Sequence, residues 1–153
     1  MASIEMKIAR RVLISGAAGG IGGTLAQKLV AAGSSVIGTD RRAPADDWSG
    51  QPWLIADVGT SAGREVIANG ISDDIDGLIF AAGMLDPDGW ASITEDEAAS
   101  LLAVNLTAPL FLTRLLLPRL KPGASIVIIG SIAGMRGSPA TPFMRQAKRD
   151  CET

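Results

Sequence analysis

The segment Ser15–Gly22, S-G-A-A-G-G-I-G, constrains the fold most, because four of its eight residues are glycine. The apolar run Arg11–Ser15 precedes it, and Ile21–Ala32 then shows helical spacing of apolar residues, which together predict a strand, a turn and a helix. Gly33 is expected to end that helix, since a residue without Cβ adopts the left-handed conformation. Glycines between a strand and a helix indicate backbone that approaches a pyrophosphate closely at a helix N-terminus. A plain flexible turn is the alternative.

Strands and helices alternate along the rest of the chain. Further strands are predicted at Ser35–Thr39, Trp53–Ala56, Gly77–Ala81 and Ser125–Ile129. Helices are predicted at Ser61–Ala68 and Thr94–Arg119, and Thr94 with Glu97 forms a capping-box pattern at the start of the second helix. We therefore predict one α/β domain over residues 1–153, a doubly wound parallel sheet of the Rossmann type in three αβα layers. The first strand is expected at the centre, with its carboxyl end at the ligand crevice.

Composition excludes several classes of protein. With 47% hydrophobic and 20% charged residues in 153, the chain is typical of a globular domain and not of a disordered one. A net charge of −2 favours neither nucleic acid nor an anionic membrane as partner. Cys151 is the single cysteine, which excludes a disulfide framework and predicts a cytoplasmic location. The apolar stretch Leu101–Leu117 is interrupted by Asn105, Pro109 and Arg114, which favours a buried amphipathic helix over a membrane span.

Asp40 stands at the end of the second predicted strand, where a carboxylate lies beside the adenine ribose of a bound dinucleotide. It would accept hydrogen bonds from the ribose hydroxyls and repel a 2′-phosphate, so NAD is favoured over NADP. Arg41 and Arg42 follow directly, and guanidinium groups at that corner could bind such a phosphate instead, which keeps NADP open. A solvated turn residue is the alternative for Asp40. The sequence contains no histidine, which excludes histidine-ligated metal sites, and we predict no metal site.

The order of these motifs resembles the short-chain dehydrogenase/reductase family. The glycine loop is similar to the family's T-G-x-x-x-G-x-G, with Ser15 in place of threonine. Asp57 and Val58 after the third strand resemble the pair that contacts the adenine, and A-A-G after the fourth strand resembles N-A-G with its asparagine replaced. The resemblance thus assigns cofactor binding, beside Asp40 and Arg41, to Gly16, Ala18, Gly20, Ile21, Gly22, Asp57, Val58, Ala81, Ala82 and Gly83.

The resemblance also assigns the catalytic positions. Asn105 matches the asparagine that bends the long helix and holds a structural water, and Ser131 matches the serine whose hydroxyl holds the substrate oxygen. Lys148 matches the lysine that lowers the pKa of the catalytic tyrosine and binds the nicotinamide ribose, but Met144 stands at the tyrosine position. The alternatives are a turn cap for Ser131, an ordinary strand-end residue for Asp57, and an Asn105 bonded to a neighbouring backbone carbonyl.

The family's activity is hydride transfer between a nicotinamide and an alcohol or ketone substrate. The sequence contains no tyrosine, and the thioether of Met144 has no proton to give, so the chain as written is expected to be inactive. A non-catalytic nucleotide-binding module and an unstable gene remnant are the alternatives. Neither the particular substrate nor the oligomeric state follows from the sequence.

The tail Met144–Thr153 is polar and unlike the family's segment around tyrosine and lysine. Back-translated with permitted codons and shifted by one base, it can encode Y-A-A-S-K-A-G-L-R-N, which is typical of the family. We therefore expect that a one-base deletion truncated an ordinary enzyme, so that the last strands of the family fold are missing. Family members form homo-oligomers, and for this chain we expect self-association or aggregation.

Overall fold

The computed structural model describes residues 10–44, 48, 52–85 and 93–131. The strands are β1 Arg11–Ser15, β2 Ser35–Asp40, β3 Trp53–Ile55, β4 Ile75–Phe80 and β5 Leu120–Ile128. The helices are α1 Gly20–Ala31, α2 Ser61–Gly70, α3 Glu95–Leu102 and α4 Ala108–Leu116. A π-helical turn, Ala103–Thr107, joins α3 to α4, and a 3₁₀ turn, Leu117–Arg119, joins α4 to β5.

The five strands form one parallel sheet in the order β3-β2-β1-β4-β5. The predicted doubly wound parallel sheet with β1 at its centre is confirmed. The chain runs outward from β1 to β3 and then returns to the other side of β1 with β4. The strand order therefore reverses between β1 and β4, so the loops that follow these two strands flank one crevice at the carboxyl edge.

Helices cover both faces of the sheet, as predicted. Along β1, Leu13 points into a cluster that α2 and α4 complete with Ile67 and Leu112. Ile14 points to the opposite face, where it packs in a second cluster with Ala26 of α1. Because alternate residues of a strand face opposite sides, a strand buried on both faces is apolar throughout, as in V-L-I.

Strand β5 begins at Leu120, so the predicted start at Ser125 is wrong. The sequence K-P-G between them is typical of a turn. In the structure Leu120 pairs with Ile75 and Ser125 with Gly77, and the surplus residues form an irregularity within the strand. The other predicted boundaries lie within one or two residues of those observed. Gly33 has φ +88°, which confirms the expected left-handed end of α1.

The long helical region is not one regular α-helix, because the π-helical turn interrupts it at Asn105. The predicted capping box at its start is confirmed: Thr94 Oγ1 accepts a hydrogen bond from the Glu97 amide, and Glu97 Oε2 accepts one from the Thr94 amide at 2.8 Å. The run Glu95–Arg119 is long and apolar enough to cross a membrane, by length and composition alone. Helices in the core of a protein can have the same length and composition. Here Leu112 and Leu116 of this run are fully buried in the protein core.

Candidate functional site

The glycine loop is tied to its neighbours by main-chain contacts. Gly16 has φ +73°, and a Cβ at this position would collide with the backbone of Ala82 in the loop after β4. The amides of Gly16 and Ala17 both donate to the Thr39 carbonyl, at 2.9 and 3.2 Å. Glycine at position 16 therefore lets the loops after β1 and β4 meet beside the end of β2.

Helix α1 begins at this loop without the side-chain cap that α2 and α3 receive. Thr60 caps α2 and Thr94 caps α3 through their side chains. The N-cap of α1 is Gly19, which has no side chain to cap the first-turn amides, and no acidic residue lies in that turn. Uncapped amides and the positive end of the helix dipole suit an anion such as a phosphate.

Asp40 lies at the carboxyl end of β2 with its side chain 8% exposed. One carboxylate oxygen, Oδ2, accepts a hydrogen bond from the Ala18 amide at 3.2 Å. The other, Oδ1, accepts from the Arg42 amide at 3.1 Å and from Arg42 Nε at 3.2 Å. The carboxylate therefore connects the glycine loop to the end of β2 and forms an ion pair with a largely exposed arginine. The sequence suggested Arg42 as a phosphate ligand and gave no sign that it pairs with Asp40.

Asp57 and Val58 form the turn between β3 and α2. Asp57 Oδ1 accepts a hydrogen bond from the Gly59 amide at 2.8 Å, and the Asp57 carbonyl accepts one from the Thr60 amide at 3.1 Å. These bonds fold the turn back on itself before α2 begins. The Asp57–Val58 backbone is thereby directed toward the same edge of the sheet as Asp40.

Asn105 fixes the loop after β4. Its side chain, 1% exposed, accepts a hydrogen bond from the Met84 amide at 3.1 Å and donates to the Met84 carbonyl at 2.9 Å. These contacts match the alternative of a backbone-bonded asparagine. The π-helical turn that carries Asn105 is a local irregularity of a kind that is frequent at functional sites.

A cleft of about 290 Å³ opens where these elements meet. Eight of the residues assigned from the sequence line it: Gly16, Asp40, Arg41, Asp57, Val58, Ala81, Ala82 and Gly83. Five further residues line it: Arg42, which the sequence offered only as an alternative phosphate ligand, and four that were not assigned, Gly19, Ala56, Met84 and Val104. Each of these five lies within the glycine segment or directly beside an assigned residue, and that proximity is the signal by which they could have been found.

The remaining assigned residues within the described ranges do not line this cleft. Ala18 contacts Asp40 through its amide, whereas Gly20, Ile21 and Gly22 form the first turn of α1. Ser131 lies three residues beyond the end of β5, where it is half-buried. Met144 and Lys148 lie outside the described residues. Within the described ranges, no three His, Cys, Asp or Glu side chains come together as a metal site.

The sheet order, the glycine loop and the cleft at the carboxyl edge define a Rossmann-type α/β protein. The profile of the short chain dehydrogenase family matches residues 10–148, and the chain belongs to that family.

Relatives in this family are similar to the chain in sequence but are longer than it. The short chain dehydrogenase ausX of Penicillium brasilianum is 34% identical over 137 residues, which cover 83% of this chain and 53% of that protein. The coniferyl-alcohol dehydrogenase of Pseudomonas sp. (strain HR199 / DSM 7063) is 30% identical over 128 residues, 82% of this chain and 45% of that protein. A solved short-chain dehydrogenase of Streptomyces avermitilis superposes with a TM-score of 0.85 at 29% identity, covering 94% of this chain and 57% of that one. The chain thus spans about half the length of the curated relatives it matches.

Proposed function

We propose that this chain binds a nicotinamide dinucleotide in the cleft, as part of an NAD(P)-dependent oxidoreductase acting on an alcohol or carbonyl compound. The observation that carries the proposal is the placement of the buried Asp40 carboxylate beside the uncapped N-terminus of α1, in one cleft. A dinucleotide combines an anionic pyrophosphate with a ribose diol, and these two features accept and donate the matching hydrogen bonds.

Each wall of the cleft has a part in this proposal. Gly16 and Gly19 of the glycine loop, at the start of α1, would approach the pyrophosphate, and Asp40 would accept hydrogen bonds from the adenine ribose. Asp57 and Val58 would contact the adenine, and Asn105 keeps the Met84 backbone in place at the other end of the cleft. When bound, the cofactor supplies the hydride acceptor or donor.

The substrate class rests on the family and on the names of relatives. Coniferyl-alcohol dehydrogenase, 30% identical to this chain, is named for an alcohol substrate. Ser131 follows β5, whose neighbour β4 leads into the cleft-lining loop, so its hydroxyl is the proposed holder of the substrate oxygen. The Ile129 amide donates to the Phe80 carbonyl at 2.9 Å, which keeps the segment before Ser131 beside the end of β4.

Preference for NAD over NADP is also part of the proposal. The Asp40 carboxylate would repel a 2′-phosphate at the ribose. The guanidinium of Arg42 is bonded to that carboxylate at 3.2 Å, so it would have to give up this ion pair to bind a phosphate instead. Both effects favour NAD over NADP.

Binding without turnover is the second candidate function, and one observation favours it. The sequence has no tyrosine, and Met144 stands at the position that the family's tyrosine occupies. A chain with the cofactor cleft and without the general acid would act as a nucleotide-binding module.

Calorimetric titration of the 153-residue chain with NAD, NADP and ADP-ribose tests the proposal. We expect saturable binding of NAD and ADP-ribose, weaker binding of NADP, and no oxidation or reduction across a panel of alcohols and ketones. Gly16→Val is the control, because a side chain there would drive the loops after β1 and β4 apart. A folded chain that binds none of the three nucleotides would contradict the proposed function.

A further inference from the structure

Arg64 lies on α2, directly behind the wall of the cleft. Arg64 is only 8% exposed, and its Nη1 donates a hydrogen bond to the Val58 carbonyl at 2.8 Å. Val58 lines the cleft, whereas Arg64 does not. The arginine therefore contacts the nucleotide site only through the backbone of a lining residue.

The surroundings of this buried charge make its bond to Val58 important. Among the residues that the structure describes, the ion pairs join other groups, and no carboxylate lies within 4.0 Å of the Arg64 guanidinium. Arginine does not lose its proton in proteins, so the charge has to be balanced by neutral groups. Among the described residues, the neutral groups that contact the guanidinium are the Val58 carbonyl and the ring of Phe111, whose centroid is 5.9 Å from the guanidinium carbon. A charged donor with few acceptors holds a carbonyl more firmly than a neutral donor does.

The rest of the turn is anchored at residues other than Val58. Thr60 Oγ1 accepts a hydrogen bond from the Gly63 amide at 3.0 Å and thereby caps α2. Gly63 lies so close to the Asp57 carbonyl that any Cβ there would collide with it. These contacts fix the two ends of the turn. The Val58–Gly59 peptide group between them is held from two sides: its Gly59 amide donates to Asp57 Oδ1 at 2.8 Å, and its Val58 carbonyl accepts from Arg64 in the first turn of α2.

We propose that Arg64 is a positioning residue for nucleotide binding. By holding the Val58 carbonyl against α2, it sets the orientation of the peptide group that faces the adenine end of the cleft. Nucleotide affinity then depends on a side chain that no nucleotide touches. This inference rests on the proposed function.

The test compares three variants with the unmodified 153-residue chain. Arg64→Met keeps an unbranched apolar stem and removes charge and donors. Arg64→Lys keeps the charge with one compact donor group, and Ile67→Val removes one methylene from the buried face of the same helix. For each we would measure the unfolding midpoint and the dissociation constants of NAD and AMP. AMP carries the adenine end of the dinucleotide alone.

We expect Arg64→Met to weaken both NAD and AMP about tenfold, the order expected for loss of one hydrogen bond to a charged group. Arg64→Lys should recover part of this affinity, and Ile67→Val should leave both dissociation constants unchanged in the folded protein. If Arg64→Met does not fold, Arg64→Lys tests the inference in its place. Lower AMP affinity of Arg64→Lys at an unchanged unfolding midpoint would support the inference.

Two results would overturn the inference while the proposed function stands. One is unchanged AMP affinity in the folded Arg64 variants, and the other is an affinity loss in Ile67→Val that matches its loss of stability. Failure of the unmodified chain to bind NAD, NADP and AMP would instead overturn the proposed function, and the inference with it.

Discussion

Ser15 and Thr39 lie opposite each other in the register of β1 and β2, both fully buried, and neither hydroxyl has a hydrogen-bond partner among the residues that the structure describes. Both residues lie at the carboxyl ends of their strands, beneath the glycine loop. The Thr39 carbonyl accepts the Gly16 and Ala17 amides, so the backbone of this pair supports the loop while its hydroxyls remain unsatisfied. A buried polar group without a partner destabilises a folded protein.

Thr39→Val should therefore stabilise the chain, because valine has nearly the shape of threonine without the unsatisfied hydroxyl. We expect the free energy of unfolding to rise by about 1 kcal/mol, the lower end of the penalty for an unsatisfied buried group. Urea denaturation followed by circular dichroism measures it, with Ser15→Ala as the companion variant. A loss of stability in both variants would show that these hydroxyls are hydrogen-bonded in solution.

Asp40→Ala should narrow the difference between NAD and NADP binding. The substitution removes the acceptor for the ribose hydroxyls and the charge that repels a 2′-phosphate, so NAD should lose about 1.5–3 kcal/mol, the range for hydrogen bonds to charged groups. Calorimetry on both cofactors gives the two affinities.

Arg42→Met is the matched control for Asp40→Ala, since it removes the partner of Asp40 and keeps the carboxylate. We expect this variant to retain the preference for NAD. If the unmodified chain binds NADP more tightly than NAD, Arg41 and Arg42 act as phosphate ligands and the proposed preference is wrong.

The sheet and most of its boundaries could be predicted from the sequence because local patterns encode them. V-L-I in β1 is apolar on both faces. Thr94 and Glu97, three residues apart, form the hydrogen bonds that cap the start of α3. The start of β5 could not be predicted, because K-P-G is typical of a turn and only pairing with β4 draws Leu120 into the sheet.

Residues of the candidate site could be predicted from the sequence only where they lie in a motif or directly beside one. The contacts between them join distant parts of the chain, as when Asn105 bonds to the backbone of Met84. The π-helical turn leaves no mark in the apolar spacing of the long helix. Arg64 is one of two adjacent charged residues on α2, and its burial depends on the packing of α2 against α4.

Acid should remove the contribution of Asp76 to stability. The hydrogen bond from the Arg11 amide and then the contact with the Lys121 ammonium hold the pKa of Asp76 below its ordinary value of 3.8. A carboxyl whose pKa is lower in the folded state stabilises the fold above its unfolded pKa, and this contribution is lost as the pH falls through the folded pKa. The unmodified chain should therefore be more stable than Asp76→Asn at neutral pH.

Denaturant midpoints measured from neutral pH down to about pH 2 check this difference, which should disappear at the acid end. Asp74→Asn is the control, because Asp74 is exposed and forms no ion pair among the described residues. An Asp76→Asn difference that stays constant with pH would contradict the prediction.

The chain as written should show no dehydrogenase turnover above background. Loss of a positioned general acid or base alone lowers the rate about 100- to 10,000-fold. Met144→Tyr by itself should not restore activity, because the residues that follow it, R-Q-A-K-R-D, also differ from the small, apolar pattern of the family. Cofactor absorbance assays on purified chain of verified mass test both statements, and turnover by the unmodified chain would refute them.

The outer strand β5 should make the chain self-associate, and Val127→Lys should reduce this association. Ser125–Ile129, S-I-V-I-I, is apolar and uncharged, and Ile126 and Val127 are 44% and 43% exposed. In the described sheet β5 pairs only with β4, so its outer edge presents amide and carbonyl groups on which a second chain can add a strand. A lysine disfavours such pairing because its charge would lie on the face of the sheet against the apolar side chains of the added strand. Sedimentation velocity at micromolar concentration would measure the oligomer fraction, with Leu110→Lys on the exposed face of α4 as the comparison. If the strand edge is responsible, Val127→Lys shifts the chain toward monomer and Leu110→Lys does not. The opposite pattern would assign association to the helix face, and a monomeric unmodified chain would refute the prediction.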